Sequence, residues 1–400
     1  MDYMAKSLNI ACSIFLSLFC SCCKSQYGQG LVRPEWDVKM PMGTSLSIFY
    51  GGLTNLPKFN DLIIAHTTIR DEGFCAEDNR LCAIDVKTGD IAWYFPSDLE
   101  ENRYCHFDSK AYMYKGKVVF EYAKNYSDPL RRFSRTEVCL NADNGEVIWE
   151  MEGETPCGSF RPAVGRENEC FFAPDSCRVF KVDMDTDQIA EFYRTAGKDV
   201  YINDIALCGN NLVVSCCCRT DEEYQLESSV VVLDTGTGQV RFSRILGRDS
   251  VPSHSIMEGD VLYSNVETCL MATDIESGEC LWERNDRWTY TLMDLHVYED
   301  VILKCAGNAT IGYDKKTGRI IYDYRDYGSY DTAREGRYAY IINCRGIVDI
   351  LDIETGAIVD KIVCPYGRIG FFGSYPVFHD GKMYIMGENR LFRYPVYPWN

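Results

Sequence analysis

Short runs of alternating apolar and polar residues follow one another along almost the whole chain. Such period-two runs predict short, half-buried β-strands, and the 3.6-residue period of amphipathic helices is scarce. Two strand runs flank a Gly in several places, most clearly at 255–263, 333–340 and 377–385, where they predict β-hairpins. The pattern therefore predicts an all-β protein.

A second pattern repeats downstream of these hairpins. Each copy has a strand, an Asp, a Gly four residues later, and a further strand that ends in an aromatic residue, as in Asp274, Gly278 and Trp282. The second copy begins with Asn141, and the degenerate third copy has Asp187 in the glycine position. The motif residues are Asp85, Gly89, Gly145, Asp234, Gly238, Asp274, Gly278, Asp314, Gly318, Asp352 and Gly356.

The chemistry of this motif is that of a tight turn. An Asp side chain accepts hydrogen bonds from the backbone N–H groups just after it, and Gly adopts the positive φ that such turns need. The aromatic residue that follows is suited to packing between neighbouring sheets. We therefore expect the repeated aspartates to be structural and not catalytic.

One hairpin and one turn motif together make a four-stranded antiparallel unit of about 40 residues, the size of a β-propeller blade. The last unit has a hairpin at 376–386 and a third strand at 390–396, but no fourth strand before the chain stops. The extended segment 35–39 can supply that strand and close the ring. We predict a single eight-bladed propeller; seven blades are the alternative if a terminal unit is only a cap.

The N-terminus has the features of an export signal. Lys6 precedes the apolar stretch 8–19, and Ser21-Cys22 follows in a pattern that resembles a bacterial lipoprotein signal with an acylated cysteine. A plain secretory signal, or acylation at Cys20 or Cys23, remains open. The expected organisation is a lipoprotein signal at 1–22, a flexible tether at 23–34 and the propeller at 35–400.

Composition narrows the functional classes. The net charge of -18 argues against nucleic-acid binding, which needs a basic surface to displace counterions from phosphates. No apolar run reaches the roughly 18 residues of a membrane-spanning helix. Hydrophobic residues at 46% and charged residues at 25% are typical of a globular protein.

The repeat resembles that of the pyrroloquinoline-quinone-like (PQQ-like) propeller family, most clearly at 81–93, 137–149 and 270–282. This resemblance covers nearly all of the chain after the signal. The family includes quinone-dependent alcohol dehydrogenases and cofactor-free scaffolds, among them an eight-bladed outer-membrane assembly lipoprotein of similar size. Fold alone does not decide between these functions.

In such propellers the first strand of each blade lines a central channel. Asp204, His254 and Asp331 each stand five residues before a hairpin Gly, and Asp294 is assigned a neighbouring register. These residues could form a cation or polar-ligand site; a water-filled channel with solvated side chains is the favoured alternative. The channel-lining candidates are Asp108, Arg161, Asp204, His254, Asp294, Asp331 and Tyr375.

The 20 cysteines permit disulfides in an exported protein. Local bridges are conceivable for Cys75 with Cys82 and for Cys170 with Cys177. The run 216–218 resembles the adjacent-cysteine disulfide over the cofactor of quinone-dependent dehydrogenases, but it follows a strand, and buried thiols are the favoured interpretation. No spacing of His or Cys predicts a metal site.

These features favour a non-catalytic lipoprotein of the bacterial envelope. It would be anchored through Cys22 to the outer membrane, facing the periplasm or the cell surface. Its rims and channel mouth would bind a protein or saccharide partner, with outer-membrane protein assembly as one such role. We expect a monomer without cofactor, metal or nucleic acid. The alternative is a periplasmic dehydrogenase that uses PQQ with calcium.

Overall fold

The computed structural model describes twenty segments of the chain. They are residues 32–39, 61–70, 76–85, 87–88, 90–97, 111–124, 134–153, 163–196, 200–219, 226–248, 252–266, 268–285, 293–306, 309–325, 332–342, 347–363, 365, 376–379, 381–387 and 390–399. All regular structure in these segments is β-strand, and no helix long and apolar enough to cross a membrane occurs in them. The expectation of an all-β protein is confirmed.

The strands form eight antiparallel sheets arranged as the blades of a propeller, which confirms the predicted fold. Blade 1 contains β2 (Leu62–Arg70), β3 (Ala76–Asp85) and β4 (Ile91–Phe95). Blade 2 contains β5 (Tyr112–Tyr114), β6 (Lys117–Lys124), β7 (Ser134–Asn141) and β8 (Val147–Glu152). Blade 3 contains β9 (Val164–Arg166), β10 (Glu169–Phe172), β11 (Arg178–Asp183) and β12 (Gln188–Arg194). The expected inner strand of blade 1, near 45–50, lies outside the described residues.

Blades 4 to 8 repeat this order. They contain β13 (Val200–Cys208), β14 (Asn211–Arg219), β15 (Leu226–Asp234) and β16 (Val240–Arg248); β17 (Pro252–Glu258), β18 (Val261–Val266), β19 (Cys269–Asp274) and β20 (Cys280–Asn285); β21 (Met293–Tyr298), β22 (Val301–Ala306), β23 (Ala309–Asp314) and β24 (Ile320–Arg325); β25 (Thr332–Glu335), β26 (Tyr338–Ile342), β27 (Val348–Asp352) and β28 (Ile358–Ile362); and β29 (Val377–His379), β30 (Lys382–Gly387), β31 (Arg390–Pro395) and β1 (Trp36–Lys39).

The ring closes as the sequence predicts. In blade 8 the N-terminal strand β1 pairs antiparallel with the C-terminal strand β31, with Trp36 opposite Arg393 and Lys39 opposite Arg390. The backbone N–H of Glu35 extends this ladder by donating to the carbonyl of Arg393 at 2.8 Å. Because the two ends of the chain share one sheet, neither is left as an open edge between blades.

The hydrophobic core consists of the seams between blades. In blade 5, for example, Trp282 packs with Leu295, Ile302 and Tyr313 of blade 6. The first strands of neighbouring blades contact one another where β9, β13, β17 and β21 follow around the ring. These inner strands therefore line the axis, and the fourth strands form the rim.

The turn motif also holds neighbouring blades together. The indole of Trp282 donates to the carbonyl oxygen of Lys315 at 3.0 Å and covers Gly318, the turn glycine of the next blade. Trp93 does the same in blade 1, donating to Ala142 at 2.9 Å and covering Gly145. Two features therefore favour glycine at this position: the positive φ of the turn, and the aromatic ring that leaves no room for a Cβ.

Candidate functional site

The repeated aspartates lie in the turns between the third and fourth strands. Asp234 Oδ1 accepts hydrogen bonds from the N–H groups of Gly236 and Thr237, at 3.1 and 2.8 Å, and from the Thr237 hydroxyl. Equivalent bonds to the backbone two or three residues ahead are made by Asp85, Asp274, Asp314 and Asp352. These bonds engage the carboxylates in the turns.

Glycine, or a residue that replaces it, takes the positive φ of these turns. The φ of Gly238 is 72° and that of Gly318 is 65°. Asp187, which holds the glycine position of the degenerate third copy, has φ 58°. Gly89 lies outside the described residues. The remaining turn glycines with positive φ are Gly145, Gly278 and Gly356.

Two aspartates on the same strand of blade 7 have pKa values shifted in opposite directions. Asp349 is fully buried in β27, and burial raises its pKa above the ordinary value despite the nearby Lys361. Asp352 ends the same strand. Burial alone would raise its pKa too, but hydrogen bonds from Arg337 and from the N–H of Thr355 outweigh it, so the pKa is lowered.

The two carboxylates predict opposite effects of an isosteric amide. At pH 7 the ionised Asp349 opposes folding, so Asp349→Asn should raise the free energy of unfolding by about 1 kcal/mol. Asp352→Asn should lower it by about 1–2 kcal/mol because charged hydrogen bonds are lost. Urea unfolding at several pH values measures both.

The pH dependence separates the two variants further. The gain of Asp349→Asn shrinks as pH falls through the raised pKa, because wild-type Asp349 then becomes neutral. The loss of Asp352→Asn persists down to about pH 4, near the pKa of an unfolded Asp, and shrinks only below it. Equal, pH-independent changes in the two variants would contradict these assignments.

Of the side chains predicted to line the channel, the structure describes only those of Asp204 and His254. Asp204 lies on β13 and His254 on β17, the inner strands of blades 4 and 5. Asp294 lies on the inner strand β21 of blade 6, and its backbone alone is described. The other candidates lie outside the described residues: Asp108, Arg161, Asp331 and Tyr375.

The structure brings two of the candidates into contact. His254 Nδ1 lies 2.8 Å from Asp204 Oδ2, across the seam between blades 4 and 5. Both side chains are mostly buried but keep 23% and 17% of their surface exposed. A carboxylate accepts hydrogen bonds, so the contact fits an N–H donor at Nδ1 of the imidazole. This contact links the inner strands of blades 4 and 5.

The register of Asp294 corrects the sequence analysis. Glu299 has φ 48° and takes the turn position that Gly209 and Gly259 hold in blades 4 and 5. Counted from that residue, Asp294 stands five positions upstream, as Asp204 and His254 do from their glycines. It belongs to the same level of the inner strands, and not to a neighbouring one.

The described cysteines follow the buried-thiol interpretation only in part. Five of them are buried, and the six others, including Cys177, Cys217 and Cys218, are partly exposed. Cys170 and Cys177 are both free thiols; Cys170 is buried in the seam with blade 2, and the Cys177 thiol donates to Asp175 Oδ1 at 3.5 Å. The local bridge considered for that pair is therefore wrong. Cys75, proposed as a partner of Cys82, lies outside the described residues.

The run Cys216, Cys217 and Cys218 lies inside β14 and pairs in register with both β13 and β15. Successive side chains of a strand point to opposite faces, and Cys216 is buried in the seam with blade 3. Adjacent residues of a regular strand do not place their sulfur atoms together. The run therefore does not fit the adjacent-cysteine cover of a quinone.

A buried charge pair was missed in the sequence. Arg135 Nη1 lies 3.2 Å from Glu121 Oε1, and both residues are almost completely buried. Glu137, which is also buried, lies directly opposite Glu121 in the β6–β7 ladder. The sequence gives little indication of this buried pair, because charged residues that alternate along a strand predict a solvated face.

Comparisons with known proteins agree with this architecture. Residues 59–188, about a third of the chain, match the family model described as outer membrane protein assembly factor BamB. Solved structures that superpose on the chain include BamB from Moraxella catarrhalis, with TM-score 0.59 and 13% identity over 93% of this chain and 99% of that one. The chain therefore shares the β-propeller fold of these proteins.

Other solved structures superpose equally well. Quinohemoprotein alcohol dehydrogenase from Comamonas testosteroni has TM-score 0.58 and 10% identity, over 92% of this chain and 76% of that one. The computationally designed protein Ika8 has TM-score 0.61 and 13% identity, over 92% and 100%. No curated protein sequence matches the chain significantly. Similarities at this level of identity establish the fold and leave the activity of the protein open.

Proposed function

We propose that the protein is a non-catalytic scaffold of the bacterial envelope that binds a protein partner through its propeller rims and channel mouth. The observation that carries this proposal is the match of 59–188 to the BamB assembly-factor model, together with superposition over 99% of a BamB chain. The dehydrogenase chain from Comamonas extends beyond the shared propeller, since only 76% of it is covered. A role in outer-membrane protein assembly, or a saccharide partner, fits the same surfaces.

Anchoring through Cys22 completes the proposal. Ser21-Cys22 follows an apolar stretch, and more than one acyl chain is needed for stable attachment to a membrane. We propose that the chain is held at the outer membrane as a monomer, facing the periplasm or the cell surface. The net charge of -18 favours a partner with basic patches, mainly by accelerating encounter.

The residues that would bind a quinone if the protein were a dehydrogenase are poorly placed for that role. The cysteine run alternates between the two faces of β14, and the repeated aspartates are engaged in turns. We therefore propose that no quinone is bound.

Cross-linking in intact cells followed by mass spectrometry tests the scaffold directly. We expect the anchored protein to capture the same envelope protein reproducibly. Cys22→Ser, which keeps the propeller and removes the anchor, should leave the membrane fraction and lose most of that capture. Capture of nothing above background by the anchored protein, or a Cys22→Ser variant that stays in the membrane fraction, would contradict the proposal.

A further inference from the structure

The outer strand of blade 4, β16, is the longest of the eight outer strands that the structure describes. It has nine residues, and the others have four to seven. Among the described strands it pairs with β15 on one side and with no strand on the other. The N–H and C=O groups along such an open edge are a template for pairing with another extended chain.

This edge also exposes apolar side chains. Val240 and Ile245 are 53% and 59% exposed, the highest values among the large apolar side chains described. In the ladder with β15, Phe242 to Ile245 pair in regular register between two β-bulges, and Phe242 packs into the seam with blade 5. The strand contains neither Lys nor Pro, which commonly protect an edge from pairing.

The charge of β16 is opposite to that of the whole protein. The strand has three arginines and no acidic residue, whereas the other seven outer strands are neutral or acidic. Arg241 is paired with Asp260 and Glu276 of blade 5. Arg244 donates to the neutral hydroxyl of Thr273 at 3.3 Å. Within the described part of the chain, a positive charge without a carboxylate partner therefore remains at the centre of the edge.

These charges decide which kind of chain can pair with the edge. Two copies of β16 side by side would bring arginines together, and like charges on neighbouring strands are destabilising. A segment with carboxylates would instead face opposite charge. The net charge of -18 does not prevent this contact, because charges separated by more than about 8 Å are largely screened at physiological salt.

We propose that β16 binds an extended acidic segment of a partner protein as a fifth strand of blade 4. Hydrogen bonds between the two main chains supply affinity, and alternating side chains supply specificity. Carboxylates of the segment lie beside Arg244, and its apolar side chains cover Ile245. The inference rests on the proposed scaffold function, since it assigns one rim strand to the protein partner.

Fluorescence anisotropy with a labelled octapeptide of alternating Glu and Val tests the assignment on the purified protein. We expect saturable binding that weakens as salt is added. Hydrogen–deuterium exchange should show new protection of the amides in 240–248 and not in the other outer strands. The same octapeptide methylated at every backbone nitrogen keeps its charge and side chains but cannot donate, and it should bind more weakly by about tenfold or more.

Two variants separate the apolar and the charged contributions. Ile245→Asn should weaken binding of the octapeptide by about tenfold through lost apolar burial, and Arg244→Glu should do so by about tenfold through charge reversal. Ile321→Asn on β24 and Arg194→Glu on β12 are the matched controls. Both residues are exposed on other outer strands, and both variants should bind like the wild type. Melting temperatures show whether each variant is folded.

Several results would overturn the assignment to β16. These are absence of saturable binding, protection confined to another strand, or equal binding of the methylated octapeptide. Self-association that Ile245→Asn abolishes would assign the edge to a second copy instead. Capture of an envelope protein by a chain that does not bind the octapeptide would overturn this assignment and leave the scaffold function standing, whereas octapeptide binding without capture would do the reverse.

Discussion

Deletion of residues 35–39 is expected to open the propeller and to lower its melting temperature by on the order of 5 °C or more. The segment supplies the outer strand of blade 8, and Trp36 packs against the seam that contains Val377 and Tyr384 of blade 8 and Ile63 of blade 1. Trp36 is partly buried, so its loss costs only part of the about 3–5 kcal/mol expected for a fully buried Trp. The deletion also leaves β31 with an unpaired edge.

Charged side chains add to this closure. Glu35 pairs with Lys382 at 2.5 Å and with Arg393 at 3.3 Å, and Asp37 pairs with Arg390. These pairs are partly exposed, so each contributes little, and the backbone ladder and Trp36 carry most of the effect.

Deletion of 25–29, five residues of the expected tether, is the matched control and should leave the melting temperature unchanged. Differential scanning calorimetry of both deletions, with Trp36→Ala as an intermediate case, measures the effect. If the 35–39 deletion melts with the temperature and cooperativity of the wild type, β1 does not close the ring.

Gly318→Ala is expected to lower the free energy of unfolding by about 3 kcal/mol. A Cβ at this position would lie 2.5 Å from Cε3 and 2.6 Å from Cδ2 of Trp282, inside van der Waals contact. The φ of 65° adds a cost of about 1–2 kcal/mol for any side chain, and overpacking adds about 1–3 kcal/mol. Trp282 would have to leave the seam between blades 5 and 6.

Gly336→Ala separates these two causes. Its φ of 57° is nearly the same, but a Cβ there would meet nothing within 4 Å. We expect a loss of about 1 kcal/mol, from the backbone conformation alone. Urea unfolding followed by tryptophan fluorescence compares the two variants. Equal losses would show that the aromatic cover contributes nothing to the role of Gly318.

The fold was predictable from the sequence because its determinants are local. The turn Asp and Gly stand four residues apart, so the repeat is visible without tertiary information. The closing strand followed from a last blade that lacked its fourth strand and an extended segment at 35–39 without a blade of its own. Glu299 shows the limit of this approach, since a non-glycine residue with φ 48° concealed the register of Asp294.

The Asp204–His254 contact was less predictable because it depends on two strand irregularities. Asn203 carries no sequence signal of a bulge, and neither does the stretch between Pro252 and Ser255. In regular strands the relative orientation of the two side chains would differ. Contacts of this kind arise from packing between blades, which the sequence pattern of one blade does not specify.

The scaffold proposal is tested most directly by titrating the purified protein with pyrroloquinoline quinone and calcium and then assaying dye-linked alcohol oxidation. The proposal predicts no saturable quinone binding and no turnover above the rate without protein. Micromolar quinone binding together with turnover would contradict it and establish the dehydrogenase alternative. Loss of that binding on substitution of Cys216 and Cys217 would place the quinone at β14.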